Sequence, residues 1–111
     1  MELKDVGGVG VIHIHGELDA LTAPELTRFF NTGVGDKYLE LVADLGGLSY
    51  SSSAGIRVFL GLARSSRQKG GDLRLAEVRP QVDKIFKLSK FDRIVKIFQT
   101  VDEAVKSYDK E

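Results

Sequence analysis

Segments whose apolar residues recur every second position change places along this chain with segments where they recur every three to four, and no other feature narrows its folds as far. Val9 to His15 reads as a strand, with Ile12 and Ile14 on one face and Val11, His13 and His15 on the other. Gly7-Gly8, a pair suited to a tight turn, precedes it and joins it to a short first strand at Leu3 to Val6, so the chain opens on a hairpin. Thr22-Ala23-Pro24-Glu25 has the form of a capping box with proline in the first turn. Leu26, Phe29 and Phe30 follow at helical spacing and Gly33 stops them, which predicts a helix over about residues 23–32.

Leu39 to Leu45 is the next strand, central and largely buried, with Leu39, Leu41 and Ala43 on one face and Glu40, Val42 and Asp44 on the other. Ile56, Phe59, Leu60 and Ala63 then fall at i, i+3, i+4 and i+7, while Arg57, Arg64 and Arg67 lie off that stripe, giving a helix over about residues 54–68 that ends at Gly70-Gly71. Leu73 to Ala76 is a short strand, and Pro80 opens a third helix whose Val82, Ile85 and Phe86 form the apolar stripe. Ile94 to Phe98 is a further strand. Thr100-Val101-Asp102-Glu103 is a second capping box, and Val101, Ala104, Val105 and Tyr108 give the last helix its apolar face. The order ββαβαβαβα predicts an α/β fold: a mostly parallel mixed sheet of about five strands, helices packed on it through right-handed crossovers, and the opening hairpin as an antiparallel edge. Phe29, Ile56, Phe59, Leu60 and Phe86 are expected in the core.

With 111 residues, 42% hydrophobic and 29% charged, the chain suffices for one core, so a single domain over 1–111 is expected. Sixteen Lys plus Arg balance sixteen Asp plus Glu, which argues against nucleic acid or anionic membrane as a partner and leaves proteins. Cysteine is absent, which excludes disulfides and thiolate chemistry. Met1-Glu2-Leu3-Lys4-Asp5 lacks the basic start and apolar core of a signal peptide, and no apolar run approaches the roughly 20 residues that span a bilayer, so a cytoplasmic protein with no membrane insertion is expected.

Function concentrates at Ser51-Ser52-Ser53-Ala54-Gly55, between the Leu39 to Leu48 stretch and the second helix. Hydroxyls at a helix mouth cap its free N–H groups, and the same mouth favours negative charge, so a phosphate is tolerated there. One serine is ordinary capping, but a single cap does not require three. In a largely parallel sheet, binding sites collect beyond the carboxyl ends of strands, where the serine run lies and where Asp19, just past the second strand, is placed near it.

Enzymatic constellations are missing. The chain has no phosphate-binding Gly-x-x-x-x-Gly-Lys-Ser/Thr loop and no Gly-x-Ser-x-Gly elbow, and Gly8-Val9-Gly10 precedes a strand instead of following one. His13 and His15 share a strand face but lack a motif supplying further ligands, so no metal or other cofactor is expected. Those two histidines are also the only bases of their kind for a serine nucleophile, and one would have to point across the sheet edge. Glu17 and Asp19 lie near one strand end, where a carboxylate pair beside a turn serves solvation and capping.

Gly16-Glu17-Leu18-Asp19, Thr22-Ala23-Pro24-Glu25-Leu26, Asp44-Leu45 with Leu48, and Tyr50 through Ile56 together resemble the STAS domain of bacterial anti-sigma-factor antagonists. The likeness continues through Gly70-Gly71 and the Phe91-Asp92 to Phe98 segment. The resemblance implies a partner-switching regulator, not an enzyme: unphosphorylated members bind an anti-sigma serine kinase, which inactivates them by phosphorylating a serine at the helix mouth, and a PP2C-like phosphatase reverses this. Counted back from Gly55, the acceptor falls on Ser53. The commoner pattern has Asp before the acceptor and Ser or Thr after it, where this chain has Ser52 and Ala54, so Ser52 stays open as the alternative. Asp19, Thr22, Ser51, Ser52, Ser53, Ala54, Gly55 and Arg57 are the implied partner-binding residues, on a monomer or weak dimer. Two other readings are a STAS-like subunit or scaffold of a transport or signalling complex that is never phosphorylated, and a small nucleotide-binding protein.

Overall fold

The computed structural model describes residues 1–109. Gly7 and Gly8 both take positive φ, 60° and 89°, which folds Glu2–Val6 (β1) back antiparallel on Val9–Leu18 (β2) with Val6 opposite Val9. From β2 onward every pairing is parallel: β2 with Glu40–Ser51 (β3), β3 with Asp72–Ala76 (β4), and β4 with Ile97–Phe98 (β5). The sheet order is β1-β2-β3-β4-β5, so each crossover moves one strand along. Helices Ala23–Phe29 (α1), Ser53–Gln68 (α3) and Pro80–Leu88 (α4), with the short turn Gly35–Lys37 (α2), fill the crossovers before Val101–Lys106 (α5).

Both sheet faces are covered, as parallel strands require. On one face Ile12, Ile14 and Leu18 of β2, Leu41 and Ala43 of β3, and Leu73 and Leu75 of β4 meet Leu26 and Phe30 near α1, Ile56, Phe59 and Leu62 of α3, and Val82 and Phe86 of α4. Phe59, Phe86 and Phe91 form its aromatic centre, with ring centroids 4.9 to 6.2 Å apart. On the other face Val9, Val11, Val42 and Ala76 meet Ala104 of α5, flanked by Phe98, Val101, Val105 and Tyr108. Tyr108 anchors this layer: its hydroxyl lies 2.8 Å from the Leu41 carbonyl and 3.0 Å from that of Asp72, the Arg74 guanidinium sits 3.9 Å over its ring, and burial pushes its ionisation up. The Thr100 box forms, its hydroxyl accepting from the Glu103 N–H while Glu103 accepts from the Gln99 N–H.

Several expectations are corrected. β3 does not stop at Leu45: it runs to Ser51, because β2 also extends to Leu18 and keeps pairing with it through two register shifts. Leu39 lies outside β3 and is 49% exposed. The strand expected from Ile94 holds only Ile97 and Phe98, since a 3-10 turn at Phe91–Arg93 takes the N–H groups of Ile94 and Val95 onto the Phe91 carbonyl. Phe29 and Leu60 are only partly buried; Phe30, just past the end of α1, and Leu62 of α3 take the inner positions. The Thr22 capping box does not form, because the Thr22 hydroxyl turns to the Glu17 carbonyl instead of to α1.

Candidate functional site

β3 delivers the serine run straight into α3. Ser51 closes the strand opposite Leu18, the Ser52 N–H donates to the Leu18 carbonyl at 2.8 Å, and Ser53 is the first helical residue. Ser52 is the N-cap: its backbone is extended (φ −87°, ψ 179°) and its hydroxyl accepts from the Ala54 N–H at 3.2 Å. Ser51 is wholly buried, its hydroxyl donating to the Ser52 carbonyl at 3.2 Å. Gly55 is buried against it, and a methyl there would come within 2.5 Å of Ser51 Oγ and 2.9 Å of Leu18 Cβ. Ser51 and Gly55, both expected at a partner surface, are buried in the fold, where they let the first turn of α3 rest on the strand ends. Ser53 and Arg57 are exposed, and Ser52 and Ala54 half-buried.

The loop after β2 is built by Asp19 and Thr22. The Asp19 carboxylate accepts from the N–H of Thr22 at 3.0 Å and of Leu21 at 2.9 Å, and the Thr22 hydroxyl accepts from the Asp19 N–H at 2.9 Å while donating to the Glu17 carbonyl at 2.7 Å. The N–H bonds from Thr22 and Leu21 hold Asp19 below the usual carboxylate range, so it is ionised near neutral pH. Asp19 thereby shapes the loop beside the helix mouth, joined to it by the bond from Ser52 to Leu18.

Two exposed apolar side chains flank this junction and were not anticipated. Leu21, at the tip of the Asp19 loop, is 85% exposed, and Tyr50, one residue before Ser51, is 44% exposed. Leu21 belongs to no periodic stripe, and in the sequence it stands between Ala20 and Thr22 with nothing to mark it as exposed. The histidines play another part: His13 Nδ1 lies 2.6 Å from Asp44 Oδ2 across β2 and β3, and His15 is exposed. Among the described residues no group of three or more His, Asp or Glu side chains converges to hold a metal, and no helix is long and apolar enough to cross a membrane.

A family model described as the STAS domain matches residues 1–104. BtrV of Bordetella bronchiseptica, a proposed anti-sigma factor antagonist, is 30% identical over 108 residues, which cover 97% of this chain and 93% of BtrV. Among solved structures, a proposed anti-sigma factor antagonist of Thermotoga maritima has a TM-score of 0.91 at 24% identity, over 98% of this chain and 94% of that one. The anti-sigma factor antagonist SpoIIAA shares the fold in its unphosphorylated form, with a TM-score of 0.80 at 24% identity over 97% and 95% of the two chains. Its phosphorylated form, from Bacillus, gives 0.71 at 23% over 96% and 97%. The chain belongs to the STAS domain family, and its relatives there carry the name of anti-sigma-factor antagonists.

Proposed function

We propose that this chain is an anti-sigma-factor antagonist of a partner-switching pathway. Unphosphorylated, it binds an anti-sigma serine kinase through the mouth of α3 and the Asp19 loop; phosphorylation of Ser53 releases it, and a PP2C-like phosphatase restores it. One observation carries the choice of Ser53: it is the exposed hydroxyl residue of the three, while Ser52 is engaged as the cap and Ser51 is buried.

Magnitudes support a switch at this position. A phosphate adds about −1.5 to −2 charges near neutral pH, and an unpaired charge buried at an interface costs about 3 to 5 kcal/mol. That equals about two to three and a half decades in affinity. In the free protein the N-terminus of the sixteen-residue α3 and Arg57, one turn on, stabilise the same charge, so modification leaves the fold intact.

The direct test is to incubate wild type, Ser52→Ala and Ser53→Ala with the cognate anti-sigma kinase and ATP, and to locate phosphate by mass spectrometry. Phosphate is expected on wild type and Ser52→Ala and none on Ser53→Ala. Phosphate persisting on Ser53→Ala moves the acceptor to Ser52, and none on wild type replaces the switch with an unmodified scaffold.

A further inference from the structure

Helix α3 carries Gly61 near its middle, although glycine is the poorest helix former after proline. Its φ is not positive, and a methyl built on it meets nothing within 4 Å, so neither backbone conformation nor packing inside the chain calls for glycine there. The open space belongs to a groove of about 950 Å³ between α1 and α3, lined by apolar Ala23, Ala54, Val58 and Leu62 and by Arg28 and Arg57. Both arginines are exposed, and neither makes an ion pair among the described residues. The groove is continuous with the helix mouth: Ala54 follows Ser53, and Ala20 of the Asp19 loop also lines it.

We propose that this groove receives an apolar segment of the anti-sigma partner, whose flanking carboxylates pair with Arg28 and Arg57; this rests on the reading of the chain as an anti-sigma-factor antagonist. Small side chains and the bare Gly61 position let a partner backbone approach α3 closely, and the two unpaired guanidiniums complement acidic groups. The arrangement also links docking to Ser53. Residues 53 and 57 are i,i+4 neighbours on α3, so a phosphate on Ser53 competes with the partner carboxylate for Arg57 as well as repelling it.

The test is titration calorimetry of the unphosphorylated chain with its cognate anti-sigma kinase, repeated with Gly61→Leu, Gly61→Ala, Arg28→Glu and Ser53→Asp. Gly61→Leu fills the groove and is expected to weaken binding at least about tenfold, with Arg28→Glu weakening it in the same direction and Gly61→Ala having a smaller effect. Leucine is the better helix former, so its variant is expected to melt no lower than wild type; should it melt lower, Gly61→Ala and Arg28→Glu decide. Wild-type binding that Ser53→Asp abolishes but Gly61→Leu and Arg28→Glu leave within about twofold overturns the groove while the switch at Ser53 stands. A wild type that binds no anti-sigma kinase removes the functional reading itself. A wild-type dimer in sedimentation that Gly61→Leu dissolves makes the occupant a second copy of this chain and overturns the proposal.

Discussion

Gly55 lies directly against the buried hydroxyl of Ser51: a methyl on Gly55 would stand 2.5 Å from Ser51 Oγ, far inside van der Waals contact. The contact seats the first turn of α3 on the ends of β2 and β3, and thereby fixes where Ser53 emerges. Gly55→Ala is therefore expected to lower stability by about 1 to 3 kcal/mol through overpacking. Adding Ser51→Gly should restore part of the loss, because the two positions share one contact. Urea unfolding of the two single variants and the double variant measures this, and a Gly55→Ala variant as stable as wild type contradicts the contact.

What the sequence made legible follows from which features are local. The hairpin at Gly7-Gly8, the span of α3 and the Thr100 box depend on residues within a turn or two of one another, and each appears at its expected place; of the α3 stripe, Ile56, Phe59 and Ala63 are buried as expected and Leu60 is not. The strand expected to end at Leu45 continues to Ser51, because its pairing with Gly16, Glu17 and Leu18 is a long-range property. Ile94-Val95 reads as a strand for the same kind of reason: its apolar character serves a turn that buries Val95, with no strand partner at Ile94. At the site, the serine run and Gly55 were visible as a motif, but the burial of Ser51 depends on where β2 ends. The groove beside Gly61 was invisible because it exists only where α1 and α3 approach each other.

The two neighbours Phe59 and Leu60 separate the observed packing from the expected stripe. Phe59 is fully buried against Phe86 and Phe91, whereas Leu60 is only partly covered. Phe59→Ala is expected to cost about 3 to 5 kcal/mol by cavity formation, and Leu60→Ala distinctly less. Chemical denaturation of both variants checks the order; equal losses would mean that α3 is rotated from the orientation described.

Asp19 gives the site a pH signature. Its carboxylate is lowered from an ordinary value of 3.8 by N–H bonds from Thr22 and Leu21 that exist only in the fold. A depressed folded-state pKa contributes stability above the unfolded value and loses it as pH falls through the folded value. Melting temperatures followed downward from about pH 5 are expected to fall less steeply for Asp19→Asn than for wild type, with the two curves closest at the acid end. Parallel curves would show that the loop bonds contribute nothing to folding.

The measurement that bears most directly on the proposed switch is the affinity of an anti-sigma kinase for wild type, Ser53→Ala and Ser53→Asp, with melting temperatures taken on the same samples. Ser53→Ala is expected to bind like wild type, since Ser52 rather than Ser53 supplies the cap hydroxyl. Ser53→Asp is expected to lose at least about two decades of affinity with little change in melting temperature, because an acidic group is tolerated at a helix N-terminus. Full-strength binding by Ser53→Asp would contradict charge at the mouth of α3 as the switch.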